Sequence, residues 1–275
     1  MRIVITGSSS GIGRALALRL IGRGHQVWGL ARSDQTALIT EFPGKFFASR
    51  CDVSSWSEVD AVGTAIRQQF GRVDALVTCA GTQGAIGRAT QLDPEAWSTT
   101  VRANVDGTYF PIRAFWPVLV PAERRAKIIC FSGGGSTKAR PRFSGYGAAK
   151  TAVVRLVETL AEEEKDEAAD INAIAPGAIH TAMTEETIRL GPAVVGENEF
   201  AAAMKQRAAP AQAMERALDL IEWLLSPASD GISGRLLSAP WDPWSSLDRH
   251  REALAGSEIY QLRRITPADR GDPWS

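Results

Sequence analysis

Two side chains of this sequence stand where they could share one proton. Tyr146 and Lys150 are four residues apart in the run Tyr-Gly-Ala-Ala-Lys, a spacing that places both on one face of a helix. A phenol ordinarily loses its proton near pH ~10, and a cation one turn away is expected to favour the phenolate. The pair could then give or take a proton near neutral pH. Alone, the pair is equally compatible with a surface contact.

A glycine-rich loop near the start of the chain could hold a phosphate group. The run Thr-Gly-Ser-Ser-Ser-Gly-Ile-Gly at 6–13 follows a strand-like segment and opens a helical one. Its glycines allow a tight turn, so that backbone N–H groups and the helix N-terminus can approach a pyrophosphate. A purely structural turn is the alternative. With a strand before it and a helix after it, the loop predicts a dinucleotide site formed by Gly7, Ser9, Ser10, Gly11, Ile12 and Gly13.

The end of the second predicted strand indicates which dinucleotide binds. An acid at this point usually holds the ribose 2′-hydroxyl of NAD. Here Ala31 stands at that place and Arg32 follows it. A guanidinium can bond a 2′-phosphate through charge-assisted hydrogen bonds, so the sequence favours NADP(H) over NAD(H). The alternative is a solvated arginine, with Asp34 in the role of the acid.

Asp52 follows the third predicted strand, directly before Val53. Its carboxylate could accept a hydrogen bond from the adenine amino group. It could equally be an ordinary turn residue.

Strand-like segments alternate with helical ones over the first 240 residues. This alternation predicts βαβ units, with a parallel sheet covered on both faces in one doubly wound α/β domain. The predicted strands are 2–6, 25–31, 45–51, 73–79, 127–132, 170–175 and 235–238. The predicted helices are 12–23, 56–70, 94–118, 146–164 and 212–225.

Residues 241–275 lack this alternation and form a C-terminal extension. Three of the eight tryptophans lie there, and weak periodicity predicts helical turns around 247–254 and 260–265. The extension packs on the body of the chain or on a neighbouring subunit, or it lines the substrate pocket. Tryptophan would suit the pocket because it offers a large face and one donor.

Composition argues against several classes of partner. Lys and Arg together number 31 and Asp and Glu also 31, so a zero net charge disfavours nucleic acid and anionic membranes. No apolar run approaches the ~20 residues of a spanning helix, and no signal peptide is recognisable, which predicts a cytoplasmic protein. Three cysteines without metal-ligand spacing, Cys51, Cys79 and Cys130, predict buried free thiols and no metal site.

Taken together, these motifs resemble the classical short-chain dehydrogenase/reductase family over residues 1–240. The resemblance implies a single Rossmann-type domain with a seven-stranded parallel sheet. It also implies that the protein binds NAD(P)(H) and moves a hydride to or from a carbonyl or alcohol carbon. The segments that follow the order and spacing of the family are the glycine loop, Asp52-Val53, Ala80-Gly81, Asn104, Tyr146-x-x-x-Lys150 and Pro176-Gly177.

The resemblance also implies a role for each site residue. Tyr146 would be the general acid in reduction and the base in oxidation, while Lys150 would bind the nicotinamide ribose and depress the pKa of the tyrosine. Asn104 would hold a water that links Lys150 to solvent. Thr181 would contact the nicotinamide carboxamide, and 182–207 would be the lid over the substrate. Further cofactor contacts would come from Val53, Ala80, Gly81, Pro176, Gly177 and Ile179.

Two segments depart from the pattern of the family. Its Asn-Asn-Ala-Gly motif reads Thr-Cys-Ala-Gly at 78–81, which concerns mainly strand and loop stability. The catalytic serine of the family lies thirteen residues before the tyrosine, and that position is Gly133. The serine donates a hydrogen bond to the substrate oxygen, and losing such a donor could cost ~10²–10³ in rate.

Three alternatives follow from the glycine. Ser132 or Ser136 could take the role of the serine, and Ser136 is preferred because adjacent strand positions point to opposite faces. Backbone N–H groups of Gly134 or Gly135, or a group from the tail or the substrate, could do so instead. Otherwise the protein binds cofactor with little turnover.

The sequence therefore predicts NADPH-dependent reduction of a ketone or the reverse oxidation of an alcohol. The substrate would be a small molecule, with a polar cyclic ketone such as a keto-sugar or cyclitol as the preferred class. A homodimer or homotetramer would assemble through helices 94–118 and 146–164. The alternatives are a non-catalytic NADP(H) sensor or scaffold, which Gly133 supports, and an epimerase or dehydratase. The loop spacing and the lack of a separate substrate domain disfavour the last.

Overall fold

The computed structural model describes residues 1–119, 124–208 and 212–272. Its strands are β1 (Arg2–Thr6), β2 (Gln26–Ala31), β3 (Phe46–Arg50), β4 (Ala75–Thr78), β5 (Ala126–Phe131), β6 (Ala169–Ala175) and β7 (Leu236–Ser238). Its helices are α1 (Gly11–Gly22), α2 (Thr36–Glu41), α3 (Trp56–Phe70), α4 (Pro94–Leu119), α5 (Ser144–Glu163), α6 (Ala182–Val195), α7 (Glu197–Arg207), α8 (Gln212–Leu225) and α9 (Arg251–Ala255).

The described strands form one parallel sheet of seven, in the order β3-β2-β1-β4-β5-β6-β7. The chain runs outward from β1 to β3 and then returns to β4 on the other side of β1. Open parallel sheets bind ligands at the carboxyl ends of the strands beside such a reversal. The loops that leave β1 and β4 meet at this point, where the Ala80 N–H donates to Thr6 Oγ1 at 3.0 Å.

Two apolar layers hold the sheet. Along β1, Ile3 and Ile5 lie in the layer shared with α1 and α8, and Val4 lies in the layer shared with α3, α4 and α5. Successive side chains of a strand alternate between the faces, and all three are completely buried. Each such side chain contributes roughly 1.5–3 kcal/mol when it leaves water. Burial on both faces therefore fixes β1, and with it the loop that follows.

The predicted doubly wound fold is confirmed, with small differences at the ends of elements. Every strand and helix predicted within residues 1–240 is present, and the largest strand difference is at β4, where 73–79 shortens to Ala75–Thr78. Three helices were not predicted, because α2 is short and because 182–207 was treated only as a lid. That segment forms α6 and α7. None of the helices in the described part of the chain is long and apolar enough to cross a membrane.

Residues 244–262 of the C-terminal extension pack on the body of the same chain. Leu247 and Leu254 join the core beside α1 and α8. The Trp244 indole N–H donates to Ala239 O at 3.2 Å, and its ring lies 6.1 Å from that of Trp223. Trp241, by contrast, is 85% exposed. Trp274, in 273–275, lies outside the described residues.

The prediction of a helical turn at 260–265 is wrong. Tyr260 has a φ of 63°, which no helix of L residues continues. Its carbonyl oxygen instead accepts from the Leu236 N–H at 2.8 Å, on the exposed edge of β7. The polar groups of an unpaired sheet edge need partners, and here the extension supplies one of them.

Candidate active site

The glycine loop is shaped so that neighbouring backbone segments almost touch. A Cβ on Gly7 would lie 2.9 Å from the backbone of Ala80, and one on Gly13 would lie 2.4 Å from Gly7 O. Gly7 and Gly11 have φ values of 71° and 52°, which favour glycine. Ser10 precedes α1 without a side-chain hydrogen bond to it. The first N–H groups of α1 are therefore available to an anion at the carboxyl edge of the sheet.

A buried amide holds this loop in place. The Ser8 hydroxyl donates to Gln35 Oε1 at 2.7 Å, and the Gln35 amide N–H donates to Gly29 O at 3.5 Å. A side chain on Gly29 would collide with Ser8, whose Oγ would lie 2.4 Å from the added Cβ. Gln35 was missed by sequence reasoning. The only signal for it was a glycine within a strand, which indicates a close approach.

Two arginines lie at the ends of β2 and β3: Arg32 follows the last residue of β2, and Arg50 is the last residue of β3. Arg32 and Arg50 are exposed, and the Arg50 Nε–H donates to the backbone oxygen of Arg32 at 3.1 Å. The carboxylate of Asp34 is already engaged, because Oδ1 accepts from the Thr36 hydroxyl at 2.6 Å and from its N–H at 3.1 Å. These bonds hold the pKa of Asp34 below its usual value.

Asp52 has the contacts of a turn residue. Its Oδ1 accepts from the Ser54 hydroxyl at 2.7 Å and from the Ser54 N–H at 3.0 Å. These two bonds lower the pKa of Asp52, and the charge of Arg32 adds to the effect. The carboxylate thus stays ionised beside Arg32, at the edge of the predicted adenosine site.

Tyr146 and Lys150 lie on α5, one turn apart and buried. The Tyr146 side chain is 8% exposed. The Lys150 ammonium donates to Phe131 O at 2.9 Å and lies 5.6 Å from the centre of the phenol ring. Burial lowers the pKa of Lys150 to about 8. Burial also raises the pKa of Tyr146, and the charge of Arg140 acts in the opposite direction.

Asn104 is completely buried in α4 and fixes the loop after β4. Its amide N–H groups donate to Thr82 O at 2.9 Å and to Thr100 O at 2.8 Å. A Cβ on Gly81 would lie 2.8 Å from Asn104 Oδ1 and 3.4 Å from Lys150 Nζ. The fold therefore brings together Gly81, Asn104 and Lys150, which belong to three separate motifs of the sequence.

Gly133 faces the phenol oxygen. A Cβ on this residue would lie 2.8 Å from Tyr146 Oη, so any side chain here would press on the hydroxyl. Ser132 is turned towards α5, where its hydroxyl donates to Lys150 O at 3.3 Å. This orientation does not favour Ser132 as a donor to substrate. Ser136 is buried and its N–H donates to Gly133 O at 3.2 Å. A catalytic role for Ser136 stays a prediction.

The segment after β6 lies over the glycine loop and the phenol. Gly177 has a φ of 90°, and a Cβ on it would lie 3.0 Å from the ring of Pro240. Thr181 begins α6, and its Cγ2 would lie 3.6 Å from a Cβ on Gly11. Pro176, Ile179 and Thr181 thus follow the carboxyl end of β6, on the side of the sheet where the predicted cofactor loop lies.

Polar contacts fasten α6 and α7 over this edge. The Thr187 hydroxyl donates to Gln83 Oε1 at 3.0 Å, and the Gln206 amide donates to Ile179 O at 2.6 Å. Arg140 forms an ion pair of 2.7 Å with Glu199. The apolar side chains around the phenol, three of them from these helices, are Ile86, Phe143, Leu190, Val195 and Phe200.

Two of the three cysteines, Cys79 and Cys130, lie near enough to Lys150 to affect its pKa. All three are free thiols, and Cys51 and Cys130 are buried as predicted, whereas Cys79 is half-buried. Burial raises the pKa of Cys51 and of Cys130 to about 12, so neither is a thiolate near neutral pH.

The geometry agrees with a family comparison. A family model described as short chain dehydrogenase matches residues 1–189. The chain belongs to the short chain dehydrogenase family. It is therefore an oxidoreductase that acts on alcohols or ketones with a nicotinamide cofactor.

Relatives of this short chain dehydrogenase include reductases and dehydrogenases. The short chain dehydrogenase pigC of Monascus ruber is 27% identical over 268 residues, which cover 94% of this chain and 84% of the relative. The levodione reductase of Leifsonia aquatica is 30% identical over 194 residues, which cover 68% and 72%.

A solved structure is similar over most of its length. It is the NADPH-bound short chain oxidoreductase from Pseudomonas aeruginosa PAO1, described as containing an atypical catalytic center. It is 27% identical with a TM-score of 0.73, and the match covers 88% of this chain and 96% of that one.

In this short chain dehydrogenase, Gly133→Ala is expected to lower kcat by about 10²-fold. The added methyl group would lie 2.8 Å from Tyr146 Oη and displace it, and a misplacement of about 1 Å can cost this much. The matched control is Gly134→Ala, whose Cβ would come no closer than 3.9 Å to another residue. Steady-state rates of both variants test this, and an equal loss in both would contradict it.

Sequence analysis did not identify Arg140, whose charge lowers the pKa of Tyr146. The resemblance assigns the lowering of the tyrosine pKa to Lys150, whose ammonium lies 5.6 Å from the centre of the phenol ring. The guanidinium carbon of Arg140 lies 5.7 Å from the same ring centre, and its charge lowers the pKa of Tyr146. Arg140 lies in an irregular loop before α5. An arginine there gives no spacing signal, because nothing in the sequence fixes where such a side chain points.

Proposed function

We propose that this short chain dehydrogenase reduces a ketone with NADPH, or oxidises the corresponding secondary alcohol, with Tyr146 as proton donor or acceptor. The observation that carries the proposal is the buried phenol of Tyr146 at the carboxyl edge of the sheet. Lys150 and Asn104 are gathered behind it. A buried phenol is held in one position, and it can transfer a proton only to a group that enters the same cleft.

The residues at the glycine loop fit a dinucleotide. Added Cβ atoms on Gly7 and Gly13 would collide with neighbouring backbone atoms at 2.4–2.9 Å, so only glycines allow the tight turn that a pyrophosphate-binding loop requires. The N-terminus of α1 lies uncapped beside it. Gly11 would hold the pyrophosphate, and Thr181 would hold the carboxamide end. When bound, the nicotinamide supplies or accepts the hydride.

Residues of the chain itself donate the proton and replace it. In reduction, the electron pair of the carbonyl π bond moves to oxygen as the hydride arrives at carbon, and Tyr146 Oη gives its proton to that oxygen. Lys150 stands one turn away and donates to Phe131 O. Asn104 would hold a water between Lys150 and solvent. The phenolate would then regain a proton through this path.

Charge at the end of β2 supports NADP(H) over NAD(H). Arg32 is exposed, Arg50 lies against its backbone, and Ala31 leaves no acid to bond a 2′-hydroxyl. The alternative acid, Asp34, has its carboxylate engaged by Thr36. A 2′-phosphate would therefore meet two guanidinium groups, which bond phosphate more strongly than a hydroxyl.

Arg32→Ala is expected to weaken NADPH binding about tenfold to a hundredfold and to leave NADH binding nearly unchanged. The reason is the loss of a charge-assisted hydrogen bond to the 2′-phosphate, worth about 1.5–3 kcal/mol. Fluorescence titration of both cofactors measures this. Arg23→Ala is the matched control, because Arg23 follows the C-terminal end of α1, at the opposite end of the helix from the glycine loop. Equal binding of both cofactors by the unaltered protein would overturn the preference.

A panel of ketones with the preferred cofactor tests the proposed activity. A polar cyclic ketone, such as a keto-sugar or cyclitol, is the class predicted from the sequence. Apolar ketones belong in the same panel, because Ile86, Leu190 and Phe200 surround the phenol. Turnover of any class supports the proposal. Tight cofactor binding with no turnover would favour a non-catalytic NADP(H) sensor. Gly133 supports this hypothesis because it stands at the position of the family's catalytic serine.

The protein is proposed to assemble as a homodimer or homotetramer through α4 and α5. Tyr109 of α4 and the neighbouring Trp56 are each about two-fifths exposed, at 40% and 41%. Trp56 packs edge-on against Phe110, with ring centres 5.6 Å apart. These aromatic side chains would leave water in such an interface. A cytoplasmic location stays a prediction of the sequence.

A further inference from the structure

Arg140 lies beside the phenol of Tyr146 in the loop between β5 and α5. Its guanidinium carbon lies 3.8 Å from the ring centre of Phe143 and 5.7 Å from that of Tyr146. A planar cation stacked on an aromatic face at this distance is held in one orientation. The side chain is 18% exposed, so water screens it only in part.

The glycines at 133–135 make room for this arrangement. A Cβ on Gly133 would touch the phenol oxygen at 2.8 Å, and one on Gly135 would lie 3.3 Å from Arg140 Cβ. The Cδ of Arg140 would lie 3.9 Å from a Cβ on Gly134. The arginine stem therefore lies along the same bare backbone that faces the hydroxyl of Tyr146. The glycine run and the arginine form one local structure.

Few charges face the phenol from the elements packed against it. Lys150, on the same helix, lies 5.6 Å from the centre of the phenol ring and donates to Phe131 O. Arg142 directs its guanidinium to Ala193 O and Val194 O at the end of α6, at 3.0 and 2.9 Å. Glu199 of α7 pairs with Arg140 at 2.7 Å. The apolar neighbours from the loop after β4 and from α6 and α7 are Ile86, Leu190, Val195 and Phe200.

Electrostatic effects on the phenol follow from these contacts. Burial raises the pKa of Tyr146, and Arg140 is the charge that lowers it. Near-neutral proton transfer needs a group whose pKa is not far above the working pH. The cation is therefore placed where it offsets the cost that burial imposes on the phenolate.

We propose that Arg140 stabilises the phenolate form of Tyr146, and that Glu199 moderates this effect by neutralising part of the arginine charge. The inference rests on the proposed function, in which Tyr146 transfers the proton. Arg140 acts through Tyr146 and is therefore a positioning residue. In reduction the phenol gives its proton to the new alkoxide oxygen, and the Arg140 guanidinium, 5.7 Å from the ring centre, stabilises the negative charge then left on the phenolate.

The test measures the titration of Tyr146 directly. The chain has three tyrosines, Tyr109, Tyr146 and Tyr260, so the double variant Tyr109→Phe/Tyr260→Phe leaves one phenol to follow by tyrosinate absorbance. In that background, Arg140→Gln should raise the midpoint by about one to two pH units, for a charge some 6 Å away in a partly buried site. Glu199→Gln should lower it, and Arg140→Lys should restore most of the loss.

Opposite signs distinguish this proposal from a structural role. If the Arg140–Glu199 pair only fastens α7, removing either partner breaks the same contact, and both variants shift the midpoint in the same direction or not at all. Either result overturns the proposal. Glu199→Gln keeps the arginine and its stacking, so it tests the idea even if Arg140→Gln does not fold.

A second measurement is the pH profile of alcohol oxidation, which needs the phenolate. The rising limb of kcat/KM should move to higher pH in Arg140→Gln and to lower pH in Glu199→Gln. Absence of turnover in the unaltered protein would contradict the proposed function alone, because the absorbance titration does not depend on turnover. An unmoved limb with normal turnover would overturn the role of Arg140 alone.

Discussion

Tyr146→Phe is expected to lower kcat by about 10³-fold or more while the Kd for NADPH stays within about threefold. Positioned acid-base groups contribute roughly 10²–10⁴ in rate, and phenylalanine removes the only atom of the side chain that can carry the proton. The ring itself is kept. It packs with Phe143, Val195 and other apolar side chains, so α6 and α7 lose no apolar contact.

The measurement pairs single-turnover kinetics with fluorescence titration of NADPH. Tyr109→Phe is the matched control, because that tyrosine is 40% exposed on α4, and its rate should stay near that of the unaltered protein. A Tyr146→Phe enzyme that keeps more than about a tenth of the rate would refute the role of the phenol. If cells that carry Tyr146→Phe show the same phenotype as cells that carry the unaltered protein, the hypothesis of a non-catalytic NADP(H) sensor is favoured over that of an enzyme.

The fold was predictable because its signals are local or periodic. The apolar runs of β1 and β5 are buried on both faces, and this is why they could be recognised as strands of a parallel sheet. The glycine loop and the Tyr146–Lys150 pair are spacing signals as well. A strand followed by a tight turn and a helix fixes where Gly7 lies, whatever the rest of the chain does.

The finer parts of the site depend on long-range contacts that no spacing reveals. Gln35 reaches Ser8 across 27 residues, and Thr187 reaches Gln83 across 104. Arg140 acts on Tyr146 only because a bare glycine backbone lets its stem lie there. The sequence could point to Gly133 as unusual, but only the folded chain supplies the cation beside it.

One buried cation, Arg235, donates hydrogen bonds to three backbone oxygens of the C-terminal extension, and this leads to a second large effect. Arg235 is 5% exposed. Its guanidinium donates to Ser257 O and Ile259 O, both at 2.8 Å, and to Leu254 O. Burial lowers the pKa of Arg235, and the charge of Glu158 opposes this. The Oε1 atom of Glu158 in turn accepts from the Leu262 N–H at 2.6 Å.

Arg235→Ala is therefore expected to lower the free energy of unfolding by about 3–5 kcal/mol. Removing the guanidinium leaves the backbone oxygens of Leu254, Ser257 and Ile259 without their donor, and an unsatisfied buried acceptor costs about 1–3 kcal/mol. Domains are stable by only about 5–15 kcal/mol, so the variant would lose a large part of its stability. The carbonyl oxygens that accept hydrogen bonds from Arg235 lie in 254–259, so this segment should also become the first site of limited proteolysis in the variant.

Arg251→Ala is the matched control for this effect. Arg251 also donates to a backbone oxygen, that of Ala228 at 2.7 Å, but it does so on the surface. Water replaces such a bond, so the loss should be below about 1 kcal/mol. Urea denaturation of both variants decides between two interpretations. Equal losses of unfolding free energy in the two variants would mean that the hydrogen bonds of Arg235 contribute no more than those of an exposed arginine. A large difference would mean that the extension is part of the folded domain, because only a group inside that fold leaves its acceptors without water when it is removed.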